Sequence, residues 1–318
     1  MNRGLKQILL PLLTAFIWGS AFVAQKGGSG YLGALTFSWT RYLMAAAALS
    51  LVLAIRNAAA GKKNAGAART EDRRTLLRSG LVVGTMLALG SSLQQLGVGK
   101  TTAGKAGFIT ALYIVVVPLL GRFLGKRVRA LVWMGVAVAV GGLYFLSFDA
   151  DGGLIFNSGD VLVLLCALAF SVHILCIDHF TKVVDPLWLS CLQFAVASAE
   201  LMVLGLIFEG FSVKNFLLCM PFLLYTGILS GALGYTLQII AQKDGDPTVV
   251  SLLLSLESLF AVISGAVVLH ERLSPREYLG CALMLCAVIL VQLPEKKQTV
   301  SRKKQVELTV GAKCDILF

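Results

Sequence analysis

Ten apolar runs occupy almost the whole chain, at 7–25, 34–55, 77–97, 104–124, 130–148, 159–178, 186–208, 216–241, 247–269 and 275–293. A helix needs about 20 apolar residues to cross the hydrocarbon core of a bilayer. The runs are too long for membrane β-strands of about 10 residues, and none alternates with period two. The links between them are mostly short, so consecutive helices are expected to run antiparallel. The expected fold class is an all-α membrane protein with ten transmembrane helices in a compact bundle, leaving no room for a soluble domain.

Composition agrees with a lipid environment. Of 318 residues, 57% are apolar and only 14% charged, with a mean hydropathy of +0.81. Soluble domains carry about 25% charged residues, because their surface faces water. Arg3 and Lys6 precede the first run in the manner of a signal peptide. That run is longer than a typical signal core and continues without a break in character, so a retained helix is expected.

The net charge of +11 raises nucleic acid as a partner, and the distribution of charge argues against it. With ten spans counted from a cytoplasmic amino terminus, 21 Lys and Arg fall on the inside, 6 on the outside, and Arg41 lies within a span. The inner set includes the basic segment from Arg56 to Arg78, the cluster Arg122, Lys126, Arg127 and Arg129, and the tail from Lys296 to Lys313. Positive residues favour the cytoplasmic side. The charge therefore reads as topology: a multi-pass protein of the cell (inner) membrane, both termini cytoplasmic. Seven cysteines form no Cys-x-x-Cys pair; six lie in or beside apolar spans and read as small apolar residues.

An internal repeat sets the organisation. Ala88-Leu89-Gly90-Ser91-Ser92-Leu93-Gln94 in the third span recurs in the eighth as Ala232-Leu233-Gly234-Tyr235-Thr236-Leu237-Gln238, with five of seven positions identical at a shift of 144. Near that shift Gly135 falls on Gly280 and Lys126 on Glu271; at 152, Trp18 falls on Phe170 and Arg41 on Gln193. The domains expected are a first repeat over 7–148, a second over 159–293, and a basic cytoplasmic tail over 294–318. Each repeat holds five spans, an odd number, so the second copy is expected to enter the membrane inverted. Inverted repeats are a recurrent construction of secondary transporters, whose halves exchange conformations to open to alternate sides.

Particular residues then carry a family resemblance. Thr14-Ala-Phe-Ile-Trp18-Gly19-Ser20-Ala-Phe22 resembles the opening signature of the EamA-type transporters of the drug/metabolite transporter superfamily. Phe37-Ser-Trp-Thr-Arg41-Tyr42 is similar to the aromatic-Arg pattern of their second helix. Leu256-Glu257-Ser258-Leu-Phe260-Ala261, continuing through Leu269-His270-Glu271-Arg272-Leu273 to Gly280, resembles their ninth helix and its acidic turn. The likeness spans about residues 7–293. It departs at Ser258, where the family often has Pro, and at Lys126, where a Glu is usual. The resemblance implies export of amino acids or related metabolites without ATP hydrolysis.

Gly97-Val-Gly99-Lys100-Thr101 looks like the end of a phosphate-binding loop, but Gln94 stands where a further Gly is needed and no strand precedes it. Gly80-x-x-x-Gly84, Gly121-x-x-x-Gly125 and Gly227-x-x-x-Gly231 match small-residue motifs and read as close packing within the bundle. Pro118, inside the fourth span, is expected to free a carbonyl and kink its helix.

Polar residues within spans are the site candidates, since ionisable groups in lipid are costly and usually face a cavity or a partner. Glu257 lies near the middle of the ninth span. Two readings stand for it: a cavity group serving a proton, a cation or a substrate amine, or a structural hydrogen-bonding group. Tyr113 lies in the corresponding neighbourhood of the fourth span. Arg41 and Glu200 fall at similar depth; they read first as a buried ion pair, with an acidic substrate group as the second partner for Arg41. Gln94 and Gln238, related by the repeat, are expected at two mouths of one pathway, with Gln95 and Tyr235 beside them. His173 reads as a structural group or a proton carrier, and Trp18 and Trp39 as cavity-lining or packing rings.

No nucleophile–base grouping, metal-ligand cluster or pair of catalytic acids emerges, so no enzyme activity and no cofactor is expected. The expected function is a secondary transporter of small metabolites by alternating access, with its site between the repeats, surrounded by spans one, three and four and their counterparts six, eight and nine. The alternatives are an intramembrane enzyme and a non-transporting receptor or scaffold. The partners expected are a small-molecule substrate and membrane lipid, with no nucleic acid and no ATPase subunit. Substrate, direction and oligomeric state are left open.

Overall fold

The computed structural model describes residues 3–59, 73–125, 128, 130–147, 157–272 and 274–292. Every regular element among these is helical: α1 (Arg3–Gly28), α2 (Ala34–Ala59), α3 (Arg73–Val98), α4 (Ala103–Thr110), α5 (Tyr113–Phe123), α6 (Ala130–Ser147), α7 (Ser158–Phe180), α8 (Pro186–Phe208), α9 (Val213–Leu224), a π-helical segment (Tyr225–Tyr235), α10 (Thr236–Asp244), α11 (Pro247–Leu254), α12 (Glu257–Val268) and α13 (Pro275–Gln292). Eight stretches are long and apolar enough to cross a membrane, and two shorter apolar ones, Ala130–Gly142 and Tyr278–Ala287, occupy the places of the fifth and tenth spans. The tail over 294–318, Lys126 and Cys314 lie outside the described residues.

The helices find their partners across the two halves. α1 packs on α11 and α12, as α7 packs on α4 and α5; α1 also lies along the π-helical segment and α10, as α7 lies along α3. α2 meets the π-helical segment as α8 meets α3, and α2 and α8 pack on each other. α4 meets α12, and α6 meets α13. Each contact thus has its counterpart when the halves are exchanged. The most extensive interfaces all join the halves, so neither half covers its own buried faces. α2 and α8 are antiparallel and clamped at both ends. Glu209, after α8, accepts from the first amides of α2, Leu35 N at 2.9 Å and Thr36 N at 2.7 Å. At the other end Arg56 pairs with Asp185 at 3.1 Å, and Asp185 also caps α8 through Leu187 N and Trp188 N. These contacts satisfy amides that a helix start leaves without intrahelical partners.

Glycines set the closest approaches. A Cβ on Gly84 would lie 2.9 Å from the Gln193 carbonyl, and one on Gly227 would lie 2.8 Å from the Arg41 carbonyl. A Cβ on Gly90 would meet the Phe170 ring at 2.8 Å; one on Gly234 would meet Trp18 Nε1 at 2.6 Å. Gly80 is equally close to Leu192. Two of the three small-residue motifs therefore serve packing within the bundle. Gly125 serves a different need: it follows α5 at φ +83° with nothing within 4 Å of a Cβ, a left-handed position that glycine adopts without steric cost.

The fourth and ninth spans are broken at matching places, between α4 and α5 and between α11 and α12. Pro118 does not cause the first break. The break falls at Ala111 and Leu112, and α5 runs on through the proline; the second break, at Ser255 and Leu256, has no proline beside it. Tight backbone bonds close both turns, Leu112 N to Ile109 O at 3.1 Å and Leu256 N to Leu253 O at 3.3 Å. At the second, Ser255 Oγ donates to Leu252 O and Ser258 Oγ to Ser255 O, both at 2.7 Å. Both hydroxyls bond carbonyls of the turn, which forms at Ser258 without a proline.

Candidate functional site

The equivalent contacts are six residues apart in the third span, at Gly84 and Gly90, and seven apart in the eighth, at Gly227 and Gly234. The extra residue falls inside the π-helical segment, whose i→i+5 bonds wind about 4.4 residues into each turn. Thr226, Ser230 and Tyr235 consequently share one face; in an α-helix, Thr226 and Tyr235 would point to opposite sides at about 100° per residue. The segment also offers carbonyls to the first span: Trp18 Nε1 donates to Ser230 O at 3.1 Å and Thr14 Oγ1 to Gly234 O at 3.3 Å.

That face, α1, α2, α3, α7 and the two broken spans line one cavity. Trp18, Phe22 and Gln25 line it from α1, one helical face at spacings of four and three. Arg41 and Tyr42 come from α2, Gln94 from α3, Thr110 from α4 and Tyr113 from α5. Phe170, His173 and Ile174 come from α7, and Thr226, Ser230, Tyr235, Gln238 and Glu257 complete the wall. Tyr113 and Glu257 begin α5 and α12, the second halves of the broken spans, at the shift of 144 that relates Gln94 to Gln238.

Two ionisable side chains of opposite type face this space. Arg41 is 4% exposed and Glu257 3%. Arg41 Nη2 donates to Tyr42 OH at 3.1 Å, and its guanidinium lies over the Tyr42 ring at 4.7 Å and the Phe37 ring at 5.7 Å from the centroids. Its Nε has no acceptor and Gln238 Oε1 no donor; the Tyr113 hydroxyl and the Glu257 carboxyl lie near each other without a hydrogen bond of ordinary length. Gln94 Nε2 donates to Thr110 Oγ1 at 3.3 Å. His173 Nε2 meets Gln193 Oε1 at 3.0 Å, which leaves Gln193 Nε2 unpartnered. Buried polar atoms are normally hydrogen-bonded, so this concentration of open valences around one cavity marks a place where another molecule can supply the partners.

Of the residues singled out from sequence, Trp18, Arg41, Gln94, Tyr113, His173, Tyr235, Gln238 and Glu257 come together here. Gln94 and Gln238 share this one cavity. The expected pair of Arg41 with Glu200 does not form: Glu200 accepts from Thr85 Oγ1 at 2.6 Å, while Arg41 turns to the cavity. Trp39 stands outside, against Gly205 and with its ring centroid 5.8 Å from that of Phe211. Gln95 turns to α1, donating to Gln25 O at 3.1 Å. Residues of the second span belong to the wall, beyond the six spans expected from sequence. Phe22 and Gln25 could have been found from the helical face that Trp18 defines; Thr226 and Ser230 could not, because their alignment depends on the π winding.

At one end of α3 the phosphate-loop look-alike turns its carbonyls to a cation. Lys26 Nζ donates to Thr101 O at 2.7 Å, Val98 O at 3.2 Å and Gly99 O at 3.3 Å. Beside it Asp160 is fully buried, pairs with Lys105 at 2.7 Å and accepts from Thr101 Oγ1 at 2.8 Å and Asn157 N at 2.9 Å. Glu271 accepts from Ala103 N at 3.3 Å, holding the start of α4. Among the described residues no group of three or more His, Cys, Asp or Glu could hold a metal ion, and no disulfide joins Cys166, Cys176, Cys191, Cys219 or Cys286.

Comparison with known proteins agrees with this architecture. Residues 5–148 and 157–293 each match the EamA-like transporter family. An uncharacterized transporter of Archaeoglobus fulgidus is 31% identical over 92% of this chain and 88% of its own. An uncharacterized transporter of Synechocystis sp. is 26% identical, over 93% and 92%; the uncharacterized inner membrane transporter YedA of Escherichia coli is 24% identical, over 90% and 92%. A protein of known crystal structure shares the fold with a TM-score of 0.67 at 18% identity, covering 90% of this chain and 96% of that one. Two tandem matches over nearly the whole length, with a relative this similar, make the chain a member of the EamA-like transporter family.

Proposed function

We propose that the protein is a secondary transporter of small metabolites, with amino acids or related compounds as the class to test first, and that the cavity between its halves is the substrate site. The observation that carries this reading is the set of unpartnered polar groups around a cavity walled by both halves. Alternating access is the mechanism proposed. Its support is the exchange of equivalent contacts between the halves, the antiparallel course of the equivalent helices α2 and α8, and the matched breaks near the middle of the fourth and ninth spans. Broken helices at a repeat interface are where transporters of this construction hold substrate. Arg41, Gln94, Tyr113, His173, Tyr235, Gln238, Glu257 and the Trp18 ring are the residues assigned to the site. The orientation proposed, with both termini cytoplasmic in the cell membrane, rests on the excess of inner Lys and Arg.

The test is uptake of labelled solutes into proteoliposomes holding the purified protein, across an amino-acid panel, with and without a pH gradient. Saturable uptake of at least one panel member above protein-free vesicles is expected. Absence of uptake across the panel together with hydrolytic turnover would replace this reading with an intramembrane enzyme.

A further inference from the structure

The short segment that joins α3 to α4 is clamped from the other half of the chain. Asp160, at the start of α7 and fully buried, takes Lys105 Nζ at 2.7 Å and Thr101 Oγ1 at 2.8 Å. Glu271, in the turn after α12, takes Ala103 N at 3.3 Å, where a carboxylate also answers the positive end of α4. From α1, Lys26 holds the carbonyls of Val98, Gly99 and Thr101. Glycines bring the halves to backbone contact here. A Cβ on Gly97 would lie 2.7 Å from the Gly159 carbonyl, and one on Gly159 would lie 2.8 Å from that of Gly97.

The repeat makes this clamp one-sided. At the shifts of 144 and 152, the equivalent positions near the starts of α11 and α1 are Gly245 for Thr101, Val249 for Lys105 and Ile8 for Asp160. None of these has a side chain that can form an ion pair or a hydrogen bond. Pro247 stands for Ala103 and has no N–H to give, and Lys126 stands where Glu271 does. The bonds of the clamp therefore cannot be repeated at the other end of the bundle. Between the clamp and the cavity lie Gln25 and Gln95, both buried, each with an unpartnered Oε1. Gln25 lines the cavity, and its carbonyl accepts from Gln95 Nε2 at 3.1 Å. Buried amides are normally bonded, so these two mark the route that opening the clamp would wet.

We propose that residues 100–105 form the outer gate of the pathway, latched by Asp160 and Glu271, and that the latch biases the resting protein towards the form closed to the outside. Release of Lys105 from Asp160 is then the step that opens this mouth. Asp160 is fully buried, and separating it from Lys105 leaves its charge unanswered. The apolar residues at the equivalent positions of the other mouth impose no such barrier. In a carrier whose halves exchange equivalent conformations, that difference tilts the equilibrium between the two accesses. The gate rests on the transporter reading, and its assignment to the outside rests on the orientation proposed above.

The experiment puts a reporter thiol at the cavity end of this route, Gln25→Cys, in the full-length protein in intact cells. A membrane-impermeant cationic methanethiosulfonate is added from outside, and modification of the introduced thiol is followed by peptide mass, which separates it from the native cysteines. Labelling should be slow with the latch intact. Asp160→Asn and Lys105→Gln should each speed it at least about tenfold, whereas Lys105→Arg should keep it slow, because the pair survives. A second reporter, Val83→Cys, is buried and lies outside the cavity, and it should stay unlabelled in the same variants. Fast labelling at Gln25 with the latch intact overturns the inference, as do equal rates in all variants or labelling at both reporters, the sign of a loosened fold. Proteoliposome uptake with labelling unmoved by the variants would leave transport standing and remove the latch. Labelling that follows the latch, with no uptake of any solute, would keep the moving gate and remove the transporter reading.

Discussion

The third and eighth spans carry the same short run of sequence at Gly90 and Gly234, and they are built differently. α3 is α-helical from Arg73 to Val98, whereas its counterpart passes through a π-helical segment from Tyr225 to Tyr235. Both lay a glycine against an aromatic ring of the opposite half, Phe170 for one and Trp18 for the other. The eighth span reaches that contact with one residue more. Repetition therefore fixes the frame of the site, and one added residue turns a copied helix into a different wall. Thr226, Ser230 and Tyr235 face the cavity together only because of it.

Removing that residue is the strongest way to break the comparison. Deleting Leu229, which is 42% exposed, restores the six-residue spacing and should turn the segment α-helical. Tyr235 and Gln238 would then turn by about 60° relative to Thr226, because nine residues at about 4.4 per turn become eight at 3.6. Transport should fall to the level of empty vesicles, with helix content by circular dichroism unchanged. Retained transport would show that the π winding is dispensable.

Exchanging the diverged residues sharpens the comparison. Glu257→Gln should lower the rate of uptake about thirty-fold or more, and unchanged uptake with unchanged pH dependence would take Glu257 out of the mechanism. Its counterpart Tyr113→Phe should change stability little, because the hydroxyl it removes makes no hydrogen bond of ordinary length. The positions where the halves agree test the shared frame and not transport itself. Gly90→Ala and Gly234→Ala each force a methyl group into contact with a ring, and each should cost about 1–3 kcal/mol in unfolding of the detergent-solubilised protein. A large difference between the two would show that the closures are not equivalent.

Much of the fold was legible in the sequence because bilayer thickness imposes a length and the repeat imposes an order. Most of the site candidates were legible for a related reason: a polar residue within an apolar span stands out against its neighbours. Their selection was not. Trp18 and Trp39 look alike in sequence, yet one lines the cavity and the other packs on Gly205. In a soluble helix the polar face would tell them apart, but here lipid and protein interior are both apolar, so periodicity says little about which face turns inward. Arg41 and Glu200 matched in depth, and Thr85 took Glu200 instead.

The sequence by itself determined that the chain spans a membrane several times, that it is made twice over, and that a few polar residues lie within its spans. Those properties follow from composition and spacing, which are local. Only the tertiary structure decided that Arg41 and Glu257 would face one space unpaired, that Gln94 and Gln238 would share it, and that one extra residue would wind Tyr235 inward. Each of these depends on which helices touch, and several close approaches are set by glycines meeting atoms from the other half of the chain.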